Sequence, residues 1–334
     1  MNSSNNSLND TTKGKEIEIV QASLYLVDFI FITAIGLLIF KTVRQNSEMK
    51  KKVQYFLLCH HLLCCSLFCC FGVTYNTIRA LGVKSPQIVF WIIFGVQVAI
   101  GEGVLITLTL MALNRCFAVC WPFRYLSLVH SVKHKVMIGV WMITMIKSMC
   151  LLIEGIGKSP EDIFEVVPSC SIVLGGLFAR TTGITLILFL LTIIIISYCL
   201  LYREGKRAGH FNSSNSKARK TIIIHGLQMS FLLFPPLIII AGKRDHYFIL
   251  NLTAFVVFSL AQCFSPVVYG LRNKELQIKL FNRQKTSLCT HYMKNDSDIE
   301  QSERPEQLND SELTDTRCCT PGPYFSKRTF DPSV

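Results

Sequence analysis

The sequence predicts an all-α membrane protein, a seven-transmembrane helix bundle, and three observations carry that expectation. Half of its residues are apolar and only 17% are charged. The charge is gathered into short bursts between long apolar runs, whereas a soluble chain carries more charge and spreads it evenly. Seven of those runs reach the ~20 residues needed to cross ~30 Å of hydrocarbon.

The runs follow in order. Val20–Phe40 succeeds a polar tail, and Val53–Tyr75 is rich in cysteine. Gln87–Val119 is the longest, because its inner end continues as an amphipathic segment. Val136–Ile153 and Thr181–Tyr202 are plain fourth and fifth spans. Thr221–Ile240 is weaker, since it contains His225, Gln228 and the pair Pro235-Pro236; Ile249–Leu271 completes the set. Every backbone polar group in hydrocarbon needs an internal partner, so continuous runs of this length mean helices.

Three regions result. Residues 1–19 form an extracellular tail, and 20–281 form the bundle with a short juxtamembrane helix over Arg272–Phe281. Residues 282–334 form a polar cytoplasmic tail, predicted to be disordered because it holds few large apolar residues. Ser297, Ser302, Ser311, Thr314 and Thr316 lie there among acids, as kinase targets or as parts of a solvated tail. The loop from Glu154 to about Arg180 is acidic through Glu161, Asp162 and Glu165, and reads either as a lid or as a tether.

Orientation follows the excess of short-loop cations on the cytoplasmic side. One set of loops holds Lys41, Arg44 and Lys50–Lys52, then Arg124, Lys133 and Lys135, then Arg203 through Lys220; the other set is poorer. The N-terminus is therefore expected outside and the C-terminus inside. Three sequons, at Asn2, Asn5 and Asn9, crowd the N-terminal tail and fit glycosylation there. No cleavable signal peptide is expected, because the first apolar run starts too late and is too long. The net charge of +12 fits basic inner loops facing anionic lipid, and nucleic acid is not an expected partner.

One segment carries a specific pattern: Met111-Ala-Leu-Asn-Arg-Cys-Phe-Ala-Val-Cys-Trp-Pro-Phe-Arg-Tyr125 at the inner end of the third span. It resembles the odorant-receptor signature Met-Ala-x-Asp-Arg-Tyr-Val-Ala-x-Cys-x-Pro-Leu-x-Tyr, with Met111, Ala112, Arg115, Ala118, Cys120, Pro122 and Tyr125 in register. Lys217-Ala218 with Thr221 and His225 is similar to the family's entry to the sixth span. Ser265-Pro266-Val-Val-Tyr269 resembles its Asn-Pro-x-x-Tyr motif, and Trp141 falls where rhodopsin-like receptors keep a fourth-span tryptophan. His225-Gly-Leu-Gln228 is similar to fish-type odorant receptors.

The resemblance implies a rhodopsin-like G-protein-coupled receptor in the plasma membrane, with a small-molecule odorant outside and a stimulatory heterotrimeric G protein inside. It assigns coupling and activation to Asn114, Arg115, Pro122, Lys217, His225, Pro266 and Tyr269. Independently of any name, Arg115 is a charge at a span's inner end, functional or snorkelling to the interface. Pro235-Pro236 and Pro266 remove backbone hydrogen bonds and build bends into two spans, as hinges or as static kinks.

The chain departs from the family at several positions. Asn114 stands where the family has an acid and Cys116 where it has a tyrosine. An amide cannot hold Arg115 as a carboxylate would, so elevated basal activity is expected. The second span lacks the central aspartate, and Ser265 replaces an asparagine. Phe90 stands where the family has a half-cystine, and no disulfide is assigned to Cys170.

Within the bundle, Gln97 lies on the same helical face as Arg115, at 100° per residue. Gln97, Val98 and Gly101 are therefore expected to line the ligand cavity. Glu102 sits at about 140° from Gln97; it contacts a cationic ligand, pairs with another buried group, or is neutralised by burial. Thr185, Phe231, Phe234 and Thr253 complete the expected ligand set. Lys147 and Asp28 are expected to be partnered or snorkelling. Cys59-His60-His61 with Cys64-Cys65 stacks His60 over Cys64 and His61 over Cys65, but one helix supplies too few ligands for a closed metal site. No cofactor, metal or catalytic group is expected, and the chain is not expected to be an enzyme. A transporter or channel is the alternative class; it would need polar residues along one path in several spans, usually with internal repeats.

Overall fold

The computed structural model describes residues 2–158, 177–207, 216–241, 248–272 and 275–279, with backbone alone over 2–14, 216–225 and 269–272 and at scattered positions elsewhere. Its helices are α1 (Asn2–Gln45), α2 (Ser47–Lys51), α3 (Val53–Ala80), α4 (Gln87–Cys120), α5 (Pro122–Lys158), α6 (Leu177–Arg207), α7 (Ser216–Ala241) and α8 (Phe248–Arg272). Helix resumes over 275–279. The chain divides into two units, Met1–Asn282 and Arg283–Val334, and all these helices belong to the first.

Five helical stretches are long and apolar enough to cross a membrane: Lys15–Gln45, Val53–Ala80, Gln87–Cys120, Ser131–Gly157 and Leu177–Arg207. α7 and α8 contain shorter apolar stretches, Met229–Ile238 and Leu252–Val268. In α7 the apolar stretch is short because cations and His225 occupy its first turns, although Pro235 and Pro236 leave the helix continuous. The result is an all-α membrane bundle.

Two elements run beyond the expected spans. α1 starts at Asn2, so the backbone of the N-terminal tail is helical, and Glu18 in its N-terminal half pairs with Arg79 of α3 at 2.6 Å. α5 starts at Pro122, immediately after Trp121 breaks α4 with φ −136° and ψ 60°. Proline suits the first helical position, where its missing N–H needs no partner. α3 ends on Gly82, whose φ of 62° is the left-handed conformation that glycine adopts without strain.

α4 is the central post. Half of its most apolar window is buried, against 22% in α1 and in α6, whose outer faces meet lipid. α4 packs against α3, α5 and α6, while α6 meets α7, α7 meets α8, and α8 returns to α1. One core cluster joins Ile39, Met49, Leu108, Leu190, Leu232 and Leu276. A second joins Tyr25, Ile32, Cys65, Ile100 and Phe255, where the Tyr25 ring meets Phe255 edge-on at 5.0 Å.

Candidate functional site

The C-terminal end of α4 is the first candidate site. Met111 and Ala112 are anchored in the core, which fixes the helix's rotation and leaves Arg115 half-buried. Asn114 is buried, and its Oδ1 accepts a hydrogen bond from the Tyr125 hydroxyl at 2.9 Å. The amide that replaces an acid thus bridges α4 to the start of α5. Burial pushes the Tyr125 phenol upward, against the lowering effect of Asn114. Cys116 lies 3.7 Å from Cys120, sulfur to sulfur, and Pro122 is exposed just beyond.

A second group ties α3 to α8 near the proline of the seventh span. His61 is fully buried and its Nε2 lies 3.2 Å from Ser265 Oγ, beside the buried Pro266. Two turns further along α3, the Cys69 thiol reaches Gln262 Oε1 at 3.7 Å. Asp28 of α1 accepts from Ser259 at 2.5 Å and from Cys263 at 2.8 Å, both on α8. A row of polar contacts therefore runs along α8 in an otherwise apolar interior, where each unmade hydrogen bond would cost about 1–3 kcal/mol.

The expected ligand residues separate into groups. Gln97 is buried and its Nε2 donates to Tyr25 Oη at 3.4 Å, toward α1. A Cβ on Gly101 would lie 3.0 Å from the Phe68 ring, so the glycine lets α3 approach α4 closely. Glu102 turns the other way and pairs with Lys147 of α5, both side chains nearly enclosed. Val98 is half-buried on the same stretch of α4. Thr185 and Thr253 are exposed, as are Phe231 (50%) and Phe234 (49%). The cause for α7 is plain: Met229, Leu232 and Leu233 take its inward face, so Phe231 and Phe234 point to lipid. The structure therefore does not gather these eight residues around one cavity. The side chains of Lys217, His225 and Tyr269, the loop carrying Cys170 and the tail with its serines and threonines lie outside the described residues.

Sequence reasoning missed one hub. Trp141 Nε1 of α5 donates to His60 Nε2 of α3 at 3.0 Å, and His60 Nδ1 lies 3.3 Å from Thr107 Oγ1 of α4. Thr107 in turn donates to the Gly103 carbonyl at 2.6 Å. Three helices thus meet at His60, on the wall of a lipid-facing cavity of about 330 Å³ that is also lined by His134 and Met137. The sequence shows His60 stacked over Cys64, and the thiol does lie 3.6 Å from its Nδ1. Nothing local reports that the other ring nitrogen faces a tryptophan 81 residues away. Every described cysteine is a free thiol.

No family model matches the chain. It is 27% identical over 186 residues to Odorant receptor 131-2 of Danio rerio, covering 51% of this chain and 57% of that protein. It is 22% identical over 303 residues to Olfactory receptor 4M1 of Mus musculus, covering 83% and 94%. Probable G-protein coupled receptor 148 of Homo sapiens is 23% identical over 208 residues, covering 58% and 59%. The long apolar helices make it a multi-pass membrane protein, and it is similar to odorant, olfactory and other G-protein-coupled receptors at 22–27% identity, spanning little more than half the length of the first of them. The two relatives named as odorant or olfactory receptors match along 51% and 83% of this chain.

Proposed function

We propose that the chain is an odorant receptor of the plasma membrane that binds a small-molecule odorant in the outer half of the bundle and activates a stimulatory heterotrimeric G protein at the cytoplasmic face. The observation that carries this reading is the inner end of α4, where Arg115 sits beside the Asn114–Tyr125 bridge within the long signature register. A ligand that stabilises one of two helix packings shifts the population toward it. α4 transmits such a shift because it touches α3, α5 and α6 together. Pro235, Pro236 and the buried Pro266 supply α7 and α8 with places to bend. The N-terminus faces the exterior, with glycans on Asn2, Asn5 and Asn9, and the C-terminus faces the cell interior.

An odorant-panel cAMP screen in transfected cells tests this. Agonist-driven cAMP that Arg115→Ala abolishes at unchanged surface expression is the expected result. Ligand-gated current or substrate uptake without cAMP would replace this reading with a channel or transporter. Tags on both termini in intact cells should report opposite sides of the membrane.

A further inference from the structure

Asp28 of α1 and Cys263 of α8 meet inside apolar stretches of both helices. The Cys263 thiol donates to Asp28 Oδ1 at 2.8 Å, and the Ser259 hydroxyl donates to Oδ2 at 2.5 Å. Both carboxylate oxygens therefore act as acceptors, as those of an ionised acid do. Asp28 is 4% exposed, and among the described residues no cation pairs with it. An acid held at that depth without a counter-charge points to a task. Its other titratable neighbours among the described residues are Tyr25 of α1 and Cys65 and Cys69 of α3, none of which carries positive charge. Among the described cysteines, Cys263 is the one whose thiol meets a carboxylate. It is half-buried where Cys65 and Cys69 are enclosed, and its neighbours on α8, Leu260 and Phe264, are exposed toward lipid.

We propose that Cys263 is a covalent capture site for apolar α,β-unsaturated carbonyl compounds, with Asp28 as the base that takes the thiol proton. The three groups fill the roles of an activated nucleophile: a sulfur, a base within hydrogen-bond reach, and Ser259 to orient the base. A preformed thiolate beside Asp28 would place two negative charges together, so the proton leaves as the sulfur attacks. The sulfur lone pair bonds to the β-carbon while the S–H proton passes to Asp28 Oδ1. The carbon–carbon π bond breaks toward the carbonyl and gives an enolate. Asp28 then returns the proton to the α-carbon. A saturated thioether forms with no leaving group and no oxidant, and the carboxylate is restored. The substrate is apolar because it reaches Cys263 through hydrocarbon, past Leu260 and Phe264. Capture at Cys263 stands apart from the receptor reading, since the adduct forms whether or not the chain signals.

The test treats the purified full chain in lipid nanodiscs with pentyl vinyl ketone and follows each cysteine by site-resolved mass spectrometry. Cys263 should form its adduct about tenfold or more faster than Cys70, Cys150 and Cys199, although those three are more exposed. From about pH 8 to about pH 6 the exposed thiols should slow about tenfold per pH unit, because only their thiolates react. Cys263 should change less than about threefold over that range, because the carboxylate takes its proton. Asp28→Asn keeps an acceptor for the thiol but removes the base, and should slow Cys263 about 100-fold while leaving Cys150 unchanged. Unfolding the chain in denaturant should bring Cys263 to the rate of the others. A Cys263 that labels no faster than Cys150, or slows as steeply with acid, would overturn the site, and that comparison needs no variant. An Asp28→Asn protein that folds and labels at the wild-type rate would overturn the role of the carboxylate.

Discussion

Lys147 of α5 pairs with Glu102 of α4 inside the membrane-spanning region, with 16% and 12% of the two side chains exposed. Each charge makes the other tolerable, and neither would rest easily in hydrocarbon alone. Removing one partner of a buried pair leaves the other uncompensated, a cost of ~3 kcal/mol. Glu102→Gln should therefore lower the melting temperature in detergent by about 5 °C or more. The double substitution Glu102→Met with Lys147→Met should recover most of that loss, since apolar replacement of both partners is tolerated. A Glu102→Gln protein as stable as the wild type would show that the pair holds nothing together.

The hydrogen-bond chain at His60 fixes a tautomer. Trp141 donates to Nε2, so Nδ1 carries the proton and points at Thr107 Oγ1, whose own proton goes to the Gly103 carbonyl. Every donor then has one acceptor, across α5, α3 and α4. Trp141→Phe keeps an aromatic ring and removes the indole N–H, leaving a half-buried acceptor unmade at a cost of about 1 kcal/mol. Its thermal melt should fall accordingly. His60→Leu should cost more, because it strands Trp141 and Thr107 together. Equal melts for Trp141→Phe and wild type would remove the hub.

The order of the helices, their membrane character and the register of Asn114, Arg115 and Tyr125 were legible in the sequence, because hydropathy and a fifteen-residue pattern are local signals. The rotation of each helix against its neighbours was not. Periodicity correctly separated Gln97 from Glu102 by more than a right angle, and the structure sends them to α1 and α5. It could not say which neighbour each would meet, since Lys147 is 45 residues from Glu102 and Ser259 is 231 from Asp28. Phe231 and Phe234 illustrate the same limit. In a membrane helix both faces are apolar, so lipid-facing and core-facing aromatics read alike.

Glu275 makes the contact between the start of α3 and the 275–279 helix sensitive to acid. The hydrogen bond from Lys52, with a second from Tyr55, holds its carboxyl below the usual range. A depressed folded value means that the unfolded chain binds the proton first, so the latch contributes fully above the ordinary carboxylate range and is lost as pH falls through the folded value. Glu275→Gln should melt below wild type at neutral pH, and the gap should close as the pH drops below about 4. A gap that persists unchanged at pH 3 would show that the carboxylate charge plays no part.

In the receptor proposed above, Asn114 and Tyr125 bear on how firmly the resting state is held. A neutral hydrogen bond contributes about 0.5–1.5 kcal/mol, and one to a charged group about 1.5–3 kcal/mol. Placing a carboxylate at 114 strengthens the Tyr125 bond and adds an ion pair with the neighbouring Arg115, a gain of ~1 kcal/mol or about fivefold in the resting-to-active ratio. Basal cAMP in cells expressing Asn114→Asp should fall by about that factor. Tyr125→Phe acts in the opposite direction, because it deletes the bond from Tyr125 that holds the buried amide to α5. Its basal signal should rise, and combining it with Asn114→Asp should return an intermediate value. Basal cAMP that is unchanged or higher in Asn114→Asp would mean that the amide at 114 does not set the basal signal.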